Sequence, residues 1–176
     1  MNDKFNDQNI FLRAKFPGKI VMINSDDEMA GAMEFLRDEP FIGFDTETKP
    51  AFKKGEVYQV SLLQLATANH ALLFRLHGLS DFSLLKEFFE NANVKKIGVA
   101  IRDDIKGLQK TFHFEPKGFV ELSEMAKILN MKNFGLKGMT EEALKLTLSK
   151  RAKLSNWESK DLSKDQLIYA ATDAWI

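Results

Sequence analysis

Asp45-Thr46-Glu47 follows the apolar run Phe41-Ile42-Gly43-Phe44. In an extended strand, residues two apart point to one face about 6.5–7 Å from each other, so both carboxylates can address the same cation. Two acids closing a strand are also ordinary solvated turn residues. The cation reading gains from the apolar strand before them, which would end in two acids on one face only if something offset their repulsion. A second segment, Gly98-Val99-Ala100-Ile101-Arg102-Asp103-Asp104, reads as a buried strand passing into a helix. An early Asp there equally serves the positive end of the helix dipole. Asp104 is the candidate for a site, with Asp103 as its alternative. The third segment is Tyr169-Ala170-Ala171-Thr172-Asp173. Residues four apart on a helix share a face, and the two alanines between them leave room for close packing against a sheet. Taken alone, a Tyr and an Asp at this spacing are an ordinary surface pair. The three segments become informative only together.

The composition limits what these groups can do. With 176 residues, 44% of them hydrophobic, the chain has material for one sizeable core and not two. The expected organisation is a flexible N-terminal lead-in over 1–18 and a single domain over 19–176. Fifteen Phe against two Trp and two Tyr predict a core filled by aromatic bulk. Cysteine is absent, which excludes disulfides and thiolate metal sites, so any metal must sit on oxygen or histidine. No stretch approaches the ~18 apolar residues of a membrane span, and residues 1–15 lack the apolar block of a signal peptide. The expectation is a soluble cytoplasmic protein without a membrane partner. The 25 basic and 25 acidic residues cancel, so net charge argues for no polyanionic partner. Only the lysine-rich stretch over 117–164 is locally asymmetric, and most of its lysines read as solvated helix faces.

The elements that must position the candidates follow from periodicity. A short strand at 20–23 precedes a helix over 26–36, which Asp38-Glu39-Pro40 stops. Strands at 41–45, 57–66 and 71–76 form a meander that should be antiparallel. A helix around 82–89, a buried strand at 96–99 and a helix from Arg102 come next, then a short strand at 119–121. Helices are predicted near 122–129 and 140–148, and from Lys164 onward. The fold class is therefore α/β: a mixed sheet of five core strands, the first three antiparallel, flanked by helices.

In this order the segments resemble the DEDD superfamily of 3′→5′ exonucleases, in its tyrosine-containing subclass. Phe41 to Glu47 is similar to the family's first motif, and Val60-Ser61-Leu62-Leu63-Gln64-Leu65-Ala66 to the strand after it. Ile97 to Ile101 followed by Asp104 resembles the second motif. Ser155-Asn156-Trp157 and then Leu167 to Ala174 resemble the third. The resemblance spans roughly 41–175. It implies a ribonuclease H-like fold, two divalent metal ions, and roles for Asp45, Glu47, Asp104 and Asp173 as ligands with Tyr169 beside them.

Four acids at one site would carry about −4 of charge, which divalent cations relieve, and an all-oxygen set points to Mg²⁺ or Mn²⁺. Tyr169, whose ordinary pKa is near 10, suits the orientation of a water better than its deprotonation. The implied reaction removes nucleoside 5′-monophosphates from DNA or RNA 3′ ends. Lys53, Lys54, Lys150, Arg151 and Lys153 are the candidates for holding phosphates, against the plainer reading of solvated side chains. Phe52 is either a stacking surface for a terminal base or a plug beside a turn. Two other functions compete: a nucleic-acid-binding module that has lost catalysis, and a phosphohydrolase of small nucleotides on the same fold.

Overall fold

The computed structural model describes residues 11–176 and is built on a six-stranded sheet. Its elements are β1 (Leu12–Arg13), β2 (Lys19–Ile23), α1 (Asp26–Met33), β3 (Phe41–Thr48), β4 (Val60–Ala66), β5 (His70–Arg75), α2 (Ser83–Glu90), β6 (Lys95–Gly98), α3 (Arg102–Gln109), β7 (Phe119–Glu121), α4 (Leu122–Ile128), α5 (Leu136–Leu144), β8 (Leu146–Thr147) and α6 (Lys164–Trp175). The strand order is β2-β5-β4-β3-β6-β7. The meander β3-β4-β5 is antiparallel, as its short connections require, while β6 and β7 join in parallel beyond β3. The expected count of five strands is corrected to six. The short strand expected at 20–23 runs over 19–23 and joins the sheet as an edge strand parallel to β5.

Part of the segment expected as a lead-in, residues 11–18, is described. Leu12 and Arg13 pair in parallel with Leu146 and Thr147, Ala14 and Phe16 are buried, and the Phe16 N–H donates to Thr172 Oγ1 at 3.0 Å. Residues 11–18 thus pack on the domain. Residues 1–10 of the expected lead-in lie outside the described part. No helix among the described residues is long and apolar enough to cross a membrane.

β3 shows why the sheet has two different faces. Its buried Ile42 and Phe44 alternate with Gly43, Asp45 and Glu47, so the strand sends apolar bulk one way and acids the other. The apolar side meets α2, α3 and the phenylalanine cluster that composition predicted. Phe44, Phe112, Phe114 and Phe119 all surround Phe89 at ring-centroid distances of 5.0–6.1 Å. Burying each such ring contributes on the order of 1.5–3 kcal/mol. The opposite side is covered by α6. Its capping box, in which Ser163 accepts from the Gln166 N–H and Gln166 accepts from the Ser163 N–H, starts the helix firmly. Ala170, Ala171 and Ala174 then lay a small-residue stripe on the sheet.

Candidate active site

Asp45, Glu47 and Asp173 each offer a carboxylate oxygen within 4.8 Å of the other two. β3 supplies the first two by its alternation, and α6 lays the third across them. Asp173 comes that close because β3 carries Gly43 under the end of α6. A Cβ built at Gly43 would stand 1.7 Å from the Ala174 carbonyl oxygen, so only glycine leaves the helix room to seat. Tyr169 lies one turn before Asp173 with its hydroxyl facing that carboxylate. These residues line a cleft of about 850 Å³ together with Lys153.

Asp104 occupies a different place. It projects from α3, on the aromatic side of the sheet, and accepts a hydrogen bond from the Thr46 hydroxyl. It lines a neighbouring hollow with Thr48 and Tyr58, yet its charge presses on Asp45. The structure therefore gathers three of the four expected acids and stands the fourth at the rim. Asp103, the alternative, is almost wholly exposed and pairs with Lys106.

The turn that presents Asp104 is braced from below. Ala100 adopts a left-handed φ of 60°, unfavourable for a residue with a Cβ. Glu121 offsets this by accepting from the Ala100 and Ile101 N–H groups, each at 2.9 Å, and from the Ser123 N–H at 3.0 Å. Burial alone would raise the Glu121 pKa, but these donors hold it below the usual range. Glu121→Ala is expected to cost about 1–3 kcal/mol by stranding these N–H groups, read by urea unfolding. It should also reduce whatever activity depends on Asp104. A wild-type midpoint in urea would show that the brace does nothing.

The electrostatics are those of crowded anions. Burial, then the charges of Asp104 and Asp173, raise Asp45 well above the ordinary carboxylate pKa. Burial, then Asp45, Asp173 and Asp104, push Glu47 up to about 9. Burial takes Asp173 to about 6 against the opposing influence of the Tyr169 hydroxyl and Lys153. Tyr169 is itself raised by burial and by Asp173, so its phenol stays protonated. Asp45, Glu47 and Asp173 all feel Lys153 as an opposing cation. No histidine or cysteine lines the cleft, so the donor set is oxygen alone and fits a hard divalent cation.

Of the residues expected to hold phosphates, only Lys153 lines this cleft. Arg151 lines an adjoining hollow that shares Tyr169 and Asp173 with it. Lys150 is exposed, and Lys53 and Lys54 lie on an exposed turn between β3 and β4. Phe52, 76% exposed, borders neither space and is not a plug. The sequence reading missed Arg13 and Lys15, which line the hollow beside Arg151 because β1 pairs with β8. Nothing local marked them. Also missed was Arg75, a buried guanidinium that donates to the Ser159 and Lys160 carbonyls at 2.6 and 3.3 Å and pins the loop before α6. Gly43 did carry a signal, since a glycine inside an apolar strand flags a close approach by another backbone.

Comparison with known proteins bears on this geometry. A family model described as 3′-5′ exonuclease matches residues 20–176. The bifunctional 3′-5′ exonuclease/ATP-dependent helicase WRN of Mus musculus is 33% identical over 171 residues, covering 92% of this chain and 12% of that protein. A 3′-5′ exonuclease of Arabidopsis thaliana is 32% identical over 181 residues, covering 94% of this chain and 63% of that protein. Among solved structures, Escherichia coli RNase D, described as an exoribonuclease involved in structured RNA processing, superposes with a TM-score of 0.80 at 28% identity. That match covers 89% of this chain and 42% of RNase D. The chain thus spans less than two thirds of the length of these relatives. The sheet and its helices are those of the ribonuclease H-like fold.

Proposed function

Because this chain belongs to the 3′-5′ exonuclease family, in the DEDD superfamily, we propose that it hydrolyses nucleic-acid phosphodiesters from the 3′ end and releases nucleoside 5′-monophosphates. The observation that carries the reading is the meeting of Asp45, Glu47 and Asp173 within 4.8 Å, with Tyr169 one helical turn away. Tyr169, beside this cluster, supports the tyrosine-containing subclass.

Asp45, Glu47 and Asp173, with Asp104 from the rim, would hold two divalent cations, Mg²⁺ or Mn²⁺. When bound, such ions stabilise the charge that develops on the attacking and departing oxygens of an in-line displacement. The chain's own groups do the rest. Tyr169, kept protonated by burial and by Asp173, orients the attacking water through its hydroxyl and does not take its proton. Lys153 holds the phosphate against the carboxylates that would otherwise repel it. Arg151, Arg13 and Lys15, in the adjoining hollow, receive the phosphates further along the strand.

The deciding experiment is digestion of matched DNA and RNA oligomers labelled at the 5′ end, with Mn²⁺ or Mg²⁺. Successive shortening of the labelled strand is the expected result, and the two arms report the sugar preference. Binding without shortening would leave a nucleic-acid-binding module, and cleavage confined to dinucleotides would leave a small-nucleotide phosphohydrolase. Tyr169→Phe should keep metal binding and lower kcat roughly 10²-fold, since the ring still packs while the hydroxyl is gone. An unchanged kcat would remove Tyr169 from the mechanism.

A further inference from the structure

Every side chain of β4 is buried, and within this otherwise mostly apolar strand Gln64 places the only carboxamide. Gln64 is 0% exposed, and neither its Oε1 nor its Nε2 meets a hydrogen-bond partner in the protein. An amide sealed from water and left unpaired opposes folding, and Leu or Met would fill the same space without that cost. Such a group calls for a use.

The register supplies one. Gln64 stands directly opposite Asp45 on one side and Leu73 on the other. Paired residues share a face, so the carboxamide lies on the α6 side. It sits between Leu62 and Ala66 of its own strand, which pack with Ala170, Ala171 and Ala174. Directly opposed residues hold their Cβ atoms about 4.5–5.5 Å apart, a gap that a Gln and an Asp side chain together can span. Among the described residues, the only donor reaching the Asp45 carboxylate is the Thr46 N–H, at 2.9 Å. The second oxygen of Asp45 is left without a donor.

We propose that Gln64 is a positioning residue for Asp45: when the site is loaded, its Nε2 donates to the free carboxylate oxygen and fixes the orientation in which Asp45 meets the cation. The inference rests on reading Asp45 as a cation ligand. Groups that orient a ligand from behind typically change metal affinity 10–100-fold when removed. That hydrogen bond would give the Gln64 Nε2 the partner it lacks within the protein.

Gln64→Met in the full chain separates this from a packing role, because it keeps the volume and deletes only the amide. With chelator present, the variant should melt about 2–4 °C above wild type, an unpaired buried group having been removed. Its Kd for Mn²⁺ by calorimetry should weaken about tenfold. In wild type labelled with ¹⁵N-glutamine, saturating Mg²⁺ should move the Gln64 side-chain amide protons downfield, a readout that survives even if the variant fails to fold. Wild-type affinity in Gln64→Met, or an amide signal indifferent to Mg²⁺, would overturn the proposal. A lower melting temperature with chelator would do so too, since it would mean that a buried water already satisfies the amide. Asp45→Asn distinguishes the two levels. If it binds Mn²⁺ like wild type, the reading of Asp45 itself is lost; if it binds weakly while Gln64→Met binds normally, only the role of Gln64 falls.

Discussion

Asp45→Asn is expected to abolish release of mononucleotides from oligomers while leaving the metal-free protein as stable as wild type or slightly more so. The same change that removes function relieves strain, because Asp45 is enclosed beside Glu47 and Asp173, and among the described residues Lys153 is the one cation whose charge lowers the pKa of all three. The sign follows from the carboxylates. Glu47 is pushed up to about 9 and Asp173 to about 6 in the folded protein, against unperturbed values of 4.5 and 3.8. A raised folded pKa means that the native state binds more protons than the unfolded chain across that window. The stability due to these groups is complete below pH ~4 and is lost as pH rises towards ~9. Without metal, wild type should therefore melt lower at pH 8 than at pH 5.5 by this contribution, and Asp45→Asn should flatten the dependence. Saturating Mn²⁺ at 100 times its Kd adds ~2.7 kcal/mol to wild type and much less to the variant. Thermal unfolding with chelator and with Mn²⁺ at both pH values, beside the oligomer digest, measures all of this. Full nuclease activity in Asp45→Asn, or in the parallel Asp173→Asn, would defeat the assignment, and a wild-type melting temperature indifferent to both cations would count against a preformed site.

Gly43→Ala should have the largest effect on stability of any glycine-to-alanine change in this chain, its added Cβ making the shortest approach of all. The new Cβ would lie 1.7 Å from the Ala174 carbonyl oxygen and 2.9 Å from its carbon, and the contact is backbone, which cannot swing aside. Overpacking of this kind costs about 1–3 kcal/mol and occasionally more. Here α6 must lift off β3, so Asp173 leaves Asp45 and Glu47 and activity falls beyond what the unfolded fraction explains. Gly31→Ala is the control. Gly31 lies within α1 with no atom within 4 Å of its added Cβ, so alanine there should gain up to ~1 kcal/mol from helix propensity. Urea denaturation of both variants, with activity normalised to folded protein, gives the comparison. A midpoint for Gly43→Ala within error of wild type would mean that α6 does not sit where the structure puts it.

The strand carrying Asp45 and Glu47 was legible because its alternation is local: Ile42 and Phe44 against Gly43, Asp45 and Glu47. The strand at Phe119–Glu121 and the start of the last helix at Lys164 were legible for the same reason. Pairing was less so. Nothing within Lys19–Ile23 says that it lies parallel to β5, and a two-residue strand such as Leu12–Arg13 has no period to detect. The helix expected over 140–148 runs instead from Leu136 to Leu144, stopped by Lys145 in a left-handed φ of 57° where no glycine announces the end. In the site, residue types and spacing pointed to all five candidates. They could not tell that Asp104 would turn to Thr46, since that depends on which side of the sheet α3 packs. The phosphate candidates were the least legible, because a lysine in a loop has the same local sequence whether it faces a cleft or solvent.

The joining of β3 to α6 also sets the order in which the carboxylate cluster is assembled. A chain synthesised from its N-terminus releases Asp45 and Glu47 long before Asp173 exists, and α6 must then dock on a sheet whose own pairings are mostly distant in sequence. Topologies of this kind fold slowly compared with locally paired ones. Before α6 docks, the two earlier acids lack the third carboxylate of the cluster. The three-carboxylate cluster is thus complete only once α6 is in place.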